Sequence, residues 1–351
     1  VSRSSRTVIV VIVLALVAVS LHFLPMPSVT VKQPNIHVMG TFGQVIAVAP
    51  TQRLALRAIE EAQAALDAVD RAMSYHDPNS ELNELNRRAF AEDVTVSPEL
   101  FQVISRSIEF SRISDGAFDV TVGPLVDLWQ HAKGVGKTPT PEEIAQAKSK
   151  IGYDKLMLDR ETSRIRFTVE GMRIDLGGIA KGYGIDRAVE AMLDAGATGG
   201  MVEIGGDLRC FGAAPQGQEV WKIGVQRPAP PGEVHTGEYS MVLSFRDKAV
   251  ATSGDYQRFI LVEGKPYSHI INTRTGGGSH EFSSVSIIAP GCIDADALAT
   301  SVSVMGLLKG TQMLDSLQDR PAILISPAPE YKCTYINGAE KYVTDGLADH
   351  L

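Results

Sequence analysis

The stretch Asp175-Leu-Gly-Gly-Ile-Ala-Lys181-Gly-Tyr-Gly184 decides how the rest of the chain reads. Upstream, Arg164-Ile-Arg-Phe-Thr-Val169 and Met172-Arg-Ile-Asp-Leu176 read as two short strands joined at Glu170-Gly171. Downstream, Ile185, Val189, Met192 and Leu193 recur at helical spacing as far as Ala195. A strand therefore runs through paired glycines into a helix start. Glycine lets backbone approach a ligand, and the free N–H groups of a helix N-terminus favour an anion. Lys181 adds a point charge suited to phosphate. The same residues also make a tight strand-to-helix turn with a solvated lysine, and the stretch alone leaves both readings open. It matches neither the Walker A pattern nor the Rossmann glycine pattern, so neither nucleotide motif applies.

Composition narrows the field. Of 351 residues, 44% are hydrophobic, enough for one large core or two modest ones. A net charge of −8, with no basic stripe, excludes nucleic acid as a partner. Cys210, Cys292 and Cys333 show no C-x-x-C spacing, which excludes a zinc site and a disulfide framework. They read as isolated core thiols, with one pair still free to bridge in an oxidising compartment. Arg3 and Arg6 precede an apolar run from Val8 to Val19, the layout of a secretory signal. Ala18-Val19-Ser20 offers a small-x-small cleavage site. Uncut, the segment becomes an N-terminal membrane anchor with its arginines inside. Residues 1–24 are thus a signal peptide or anchor, 25–35 a linker, and 36–351 one exported domain.

In order, Ile36 to Ala49 alternates as a strand pair around Met39-Gly40-Thr41. Thr51 to Met73 predicts a helix with Leu56, Ile59, Leu66, Val69 and Met73 inward. Ser80 caps a short helix, and Pro98 to Ile113 and Pro141 to Lys150 are two more. Gly200 to Phe211 reads as one strand, Thr252 to Tyr256 as a turn, and Arg258 to Ile271 as a hairpin around Glu263-Gly264. Ala295 to Leu308 and Gly310 to Leu317 read as helices. Helices inserted among mostly antiparallel hairpins predict an α+β class.

Asp296 and Thr300 stand four apart at a helix start, so their oxygens share one face. A carboxylate and a hydroxyl there suit a hard cation such as Mg²⁺. Equally, Asp296 could cap that helix and Thr300 bond back to a carbonyl. His269, at a strand end, has the chemistry of a general base near neutral pH. Asp119 and Asp175 are each followed by apolar residues, so each requires a partner if buried.

Taken in order, eight stretches resemble the ApbE family of flavin transferases. They are Met39-Gly-Thr41, Ser80-Glu-Leu-x-x-Leu-Asn86, Gly116-Ala-Phe-Asp-Val-Thr-Val-Gly-Pro-Leu-Val-Asp-Leu-Trp129, Asp175–Tyr183, Ile204-Gly-Gly-Asp207, Ala251–Tyr256, His269–Gly276 and Ala295–Thr300. Together they span roughly residues 36–310. The resemblance implies two subdomains of mixed or antiparallel sheet with packed helices, and an FAD cleft between them. By position, Met39, Ala117, Phe118, Asp119, Asp175, Lys181 and Ile270 match the family's FAD contacts. Where the family often carries a flavin-stacking aromatic, this chain has His76 with Tyr75 beside it. The metal position matches Asp296 and Thr300, with the Gly178 carbonyl as third ligand, and His269 matches the base. Glu203 and Thr273 depart from the family's usual asparagine and proline.

The implied reaction is Mg²⁺-dependent transfer of FMN from FAD to a threonine hydroxyl of an acceptor flavoprotein subunit, releasing AMP. The acceptor class is a subunit of a membrane electron-transfer complex, and the implied compartment is the periplasm. Two other readings are an FAD pyrophosphatase giving FMN and AMP, and a non-catalytic exported FAD-binding protein. The coincidence of Asp296, Thr300 and His269 argues against simple storage.

Overall fold

The computed structural model describes residues 28–215, 217–228, 238–254 and 259–346. Its central sheet has eight antiparallel strands whose spatial order is also their chain order. They are Val29–Val38, Thr41–Ala49, Gly199–Ile204, Asp207–Gly212, Lys248–Gly254, Ser284–Ala289, Ala322–Ile325 and Cys333–Ile336. The α-helices among the described residues are α1 (Gln52–Met73), α2 (Glu81–Arg88), α3 (Pro98–Ile113), α4 (Gly123–Val135), α5 (Pro141–Ser149), α6 (Ala180–Asp194) and α7 (Cys292–Leu317).

Alternation along each strand gives the sheet two apolar faces. Val45, Ala47, Val202 and Ile204 meet α1 and α6 on one face. Met201, Leu208 and Val250 face the other way, toward a three-stranded sheet that contributes Trp221, Ile223, Leu243 and Phe245. A third core joins α2, α3 and α7 to the small sheet of Val94–Thr95, Arg164–Phe167 and Leu156–Asp159. It reaches the central sheet through Val285, Ile287 and Leu324. The antiparallel α+β class is as expected, and the isolated bridge Val122–Arg173 is the parallel pairing seen.

Several local expectations are corrected. The first strand starts at Val29, inside the stretch read as a linker, and a register shift between Gln33 and Ile36 accommodates Pro34. Met172 to Leu176 is not a strand. The Asn86 side chain instead bonds both backbone groups of Ile174, and Asp175 N–H donates to the Val120 carbonyl. Gly200 to Phe211 is a hairpin about Gly205-Gly206, and Thr252 to Gly254 continue a strand. Residues 255 and 256 lie outside the described residues. Leu56 and Leu193 are exposed because the inward row of α1 is Ala55, Ala58, Ile59 and Ala62, and that of α6 is Ala188, Val189 and Met192. The small alanines let α1 sit close on the sheet. Helix α7 is broken at Gly306, where φ is 76° and ψ 178°, so the two expected helices are present with their junction at Gly306 rather than at Lys309. The apolar run 8–19 lies outside the described residues, and among those described no helix is long and apolar enough to cross a membrane.

Candidate active site

The site is built where α6 crosses α7. Helix α6 starts at Ala180, so Lys181 and Gly182 stand in its first turn rather than before it. A Cβ on Gly182 would lie only 2.4 Å from the Cys292 carbonyl oxygen, so glycine is what allows the two backbones to touch. At that contact the Gly182 N–H donates to Asp296 Oδ2 at 3.0 Å. The Lys181 ammonium reaches Asp207 Oδ2 and lies 3.5 Å from Asp296 Oδ1. Asp207 is fixed in turn, because its Oδ1 accepts from Thr252 N at 2.9 Å. One turn beyond Asp296, Thr300 Oγ1 is 3.4 Å from Ser253 Oγ. Gly178 abuts it: an added Cβ would sit 3.2 Å from both Thr300 Oγ1 and the Phe118 ring.

Asp296 is therefore not the cap of α7. That task falls to Asp186 of α6, which accepts from Cys292 N at 2.9 Å and Ile293 N at 3.0 Å. Burial, opposed by Lys181 and reinforced by Asp207, pushes the Asp296 carboxyl up to about 6. Burial alone would lower the Lys181 pKa, but Asp207 and Asp296 outweigh it and hold the ammonium charged. Two carboxylates and one ammonium leave the cluster net negative. Gly178, Asp296 and Thr300, the expected metal ligands, converge here, and their hard oxygen chemistry fits Mg²⁺. Among the described residues no group of three or more His, Cys, Asp and Glu could hold a metal.

A second set borders the first. Ala117 and Ile270 pack together with Val304, while Phe118 meets Phe110 edge-on at 6.1 Å. Thr273 Oγ1 donates to the Gly116 carbonyl at 2.7 Å, and Arg274 pairs with Asp115 at 2.9 Å. These bonds sew the His269 segment to the Ala117–Phe118 loop, with Ser268 and Ile270 buried and His269 exposed between them.

His76 and Asp175 are neighbours as well. Burial raises the Asp175 carboxyl, while the Gly177 N–H and His76 pull it down. Tyr75 is committed elsewhere: its hydroxyl donates to Asp127 at 2.7 Å, and the Arg173 guanidinium lies 4.8 Å from its ring centre. His76 is the exposed one of the two rings. Met39, at φ 51° in the first hairpin turn, packs against two cores, and its N–H donates to Asp70 at 2.9 Å. Asp119 faces inward. Its oxygens accept from Thr121 N and Oγ1 and from Tyr153 N, so this carboxylate holds its own loop.

Two expected results follow from this geometry. Gly182→Ala should destabilise the fold by about 1–3 kcal/mol, as overpacking does, because the added carbon meets backbone. Urea melts check it; an unchanged midpoint would mean the crossing is slack. The three cysteines are free, with Cys210 and Cys292 buried. Burial pushes the Cys210 thiol up to about 12 and raises Cys292 and the half-buried Cys333. At pH 8 the native protein should react slowly with a thiol reagent, first at Cys333, and completely only in denaturant. Rapid labelling of Cys210 or Cys292 would contradict this.

Fold and site together define an antiparallel α+β protein with a candidate hard-cation centre at a helix crossing. The model of the ApbE family matches residues 39–324. The chain belongs to the ApbE family. A Haemophilus influenzae relative named FAD:protein FMN transferase is 32% identical over 262 residues, 73% of this chain and 75% of its own length. A Treponema pallidum relative of the same name is 32% identical over 284 residues, 77% of each chain. Among solved structures, the ApbE protein of Thermotoga maritima superposes with a TM-score of 0.77 at 29% identity, covering 90% of this chain and 99% of its own. The flavin transferase ApbE of Vibrio cholerae gives 0.74 at 28% identity, covering 91% and 100%.

Proposed function

We propose that this protein is an FAD:protein FMN transferase whose acceptor is a threonine hydroxyl on a flavoprotein subunit. The observation that carries the reading is the meeting of Asp296, Thr300, Gly178 and Lys181 at one helix crossing in a chain of this family. Asp296, Thr300 and the Gly178 backbone would hold Mg²⁺, which when bound neutralises charge on a pyrophosphate. FAD is the substrate. His76 and the Ala117–Phe118 loop flank its flavin end, and Lys181 with the Gly177–Gly178 backbone holds its phosphates. The acceptor hydroxyl attacks the FMN-side phosphorus. An oxygen–phosphorus bond forms there as the bond to the AMP phosphate breaks, and AMP departs. His269, exposed on a buried strand end, takes the hydroxyl proton.

The test is AMP release from FAD and Mg²⁺, followed with and without a threonine-bearing acceptor. AMP formed only with acceptor supports transfer, whereas equal AMP without it replaces transfer by hydrolysis. The same reading puts the domain in the periplasm of a Gram-negative cell, free after cleavage or anchored in the inner membrane by residues 7–24. Its acceptor then belongs to a membrane electron-transfer complex. Alkaline phosphatase fused after Pro27 should be active in cells. An inactive fusion, with a cytoplasmic fluorescent reporter bright at the same point, would sink that localisation.

A further inference from the structure

Lys181 serves phosphate in the proposed reaction, yet in the structure its ammonium lies between two buried carboxylates, Asp207 and Asp296. The two contacts are unequal. Lys181 donates to both carboxylates, but Asp207 is the nearer partner and Asp296 Oδ1, at 3.5 Å, the more distant one. Asp207 is itself immobile: it is 1% exposed, and its other oxygen is held by the Thr252 N–H. Asp296 is oriented separately, through the Gly182 N–H on its other oxygen. The Lys181 side chain keeps a quarter of its surface open, so it has room to turn about the Asp207 contact.

We infer that Asp207 is a positioning residue. It is a fixed pivot for Lys181, whose ammonium serves as internal counter-ion to Asp296 until a cation binds there and then swings, still on Asp207, to the substrate phosphates. A buried carboxylate without a counter-charge is costly, so something must balance Asp296 in the cation-free protein. Among the described residues, Lys181 is the cation paired with it. Ammonium and Mg²⁺ then compete for one carboxylate, and the strength of the Lys181–Asp207 pair sets how easily the ammonium yields. Asp207 also keeps the displaced ammonium inside the site, where it can meet a phosphate.

This inference rests on the cation site proposed above, and the test separates the two. Mn²⁺ replaces Mg²⁺ as the probe, with its dissociation constant read by electron paramagnetic resonance of free Mn²⁺ in the absence of FAD. Asp296→Ala should abolish site binding; if it does not, the cation assignment itself fails. With that control met, Asp207→Asn leaves a side-chain oxygen for the Thr252 N–H but throws Lys181 onto Asp296 alone. Mn²⁺ affinity should fall about tenfold, within the range for coupled neighbours. Lys181→Met removes the competitor and should tighten Mn²⁺ binding. In the Lys181→Met background, most of the effect of Asp207→Asn should vanish. Unchanged affinity in Asp207→Asn, weaker binding in Lys181→Met, or an equal loss from Asp207→Asn in both backgrounds would each overturn the inference. The last result would make Asp207 a direct electrostatic contributor. Thermal melts of each variant exclude loss of fold as the cause.

Discussion

Replacing Asp296 by alanine should abolish FMN transfer while the protein stays folded. The carboxylate is the one charged donor among the three candidate ligands, so its loss removes the anchor of the cation. Metal stabilisation of a transferring phosphoryl group is worth several kcal/mol, about three decades of rate or more. The fold should tolerate the change. Asp296 is buried beside a second carboxylate, and its loss leaves Lys181 wholly to Asp207. The main cost is the Gly182 N–H left without its acceptor, about 1–3 kcal/mol. Helix α7 keeps its cap, since Asp186 supplies it. Steady-state AMP release and a urea melt measure the two halves of the expectation. Transfer at the wild-type rate in saturating Mg²⁺ would remove Asp296 from the mechanism.

His269→Ala should lower the transfer rate by about 10²–10⁴, the usual weight of a positioned general base. FAD affinity should change little. The backbone at this position is set by its neighbours: Ser268 and Ile270 are buried, Ile270 N accepts no new burden because it already donates to Ser268 Oγ at 3.2 Å, and Ile270 packs on Ala117. The rate loss should therefore sit in turnover at saturating FAD and acceptor. Equilibrium titration of flavin fluorescence checks the binding half. A parallel loss of FAD affinity would make His269 a ligand contact instead of a base.

The contrast between these residues shows what the sequence could carry. That Asp296 and Thr300 share a helix face was legible because a helix puts positions four apart together, and that His269 follows a strand was legible from its alternation; the roles given to them came from the family resemblance. Ile59, Leu66, Val69 and Met73 were legible as an inward face for the same reason. Leu56 misled, because a row of alanines rather than the largest apolar residue determined which side of α1 meets the sheet. Asp186 as the cap of α7 was not readable, since donor and acceptor lie 106 residues apart. The Lys181–Asp207 pair spans 26 residues and two different elements. One signal was present: Asp207 opens the otherwise apolar-alternating segment Asp207-Leu-Arg-Cys-Phe211 just after a glycine pair, and a carboxylate entering a buried strand needs a counter-charge. The sequence states that need without naming the partner. Asp119 shows the converse. Its need of a partner was readable in the same way, and here local geometry meets it, at Thr121 and Tyr153.

In the proposed reaction FMN moves, with its phosphate, from FAD to a protein hydroxyl. Intact-protein mass spectrometry of a threonine-bearing flavoprotein subunit, incubated with this protein, FAD and Mg²⁺, tests it most directly. The subunit should gain the mass of one phosphoester-linked FMN, carried on the target threonine, and replacing this threonine by alanine should abolish the gain. An unmodified subunit beside accumulating free FMN and AMP would make the protein a hydrolase of FAD instead.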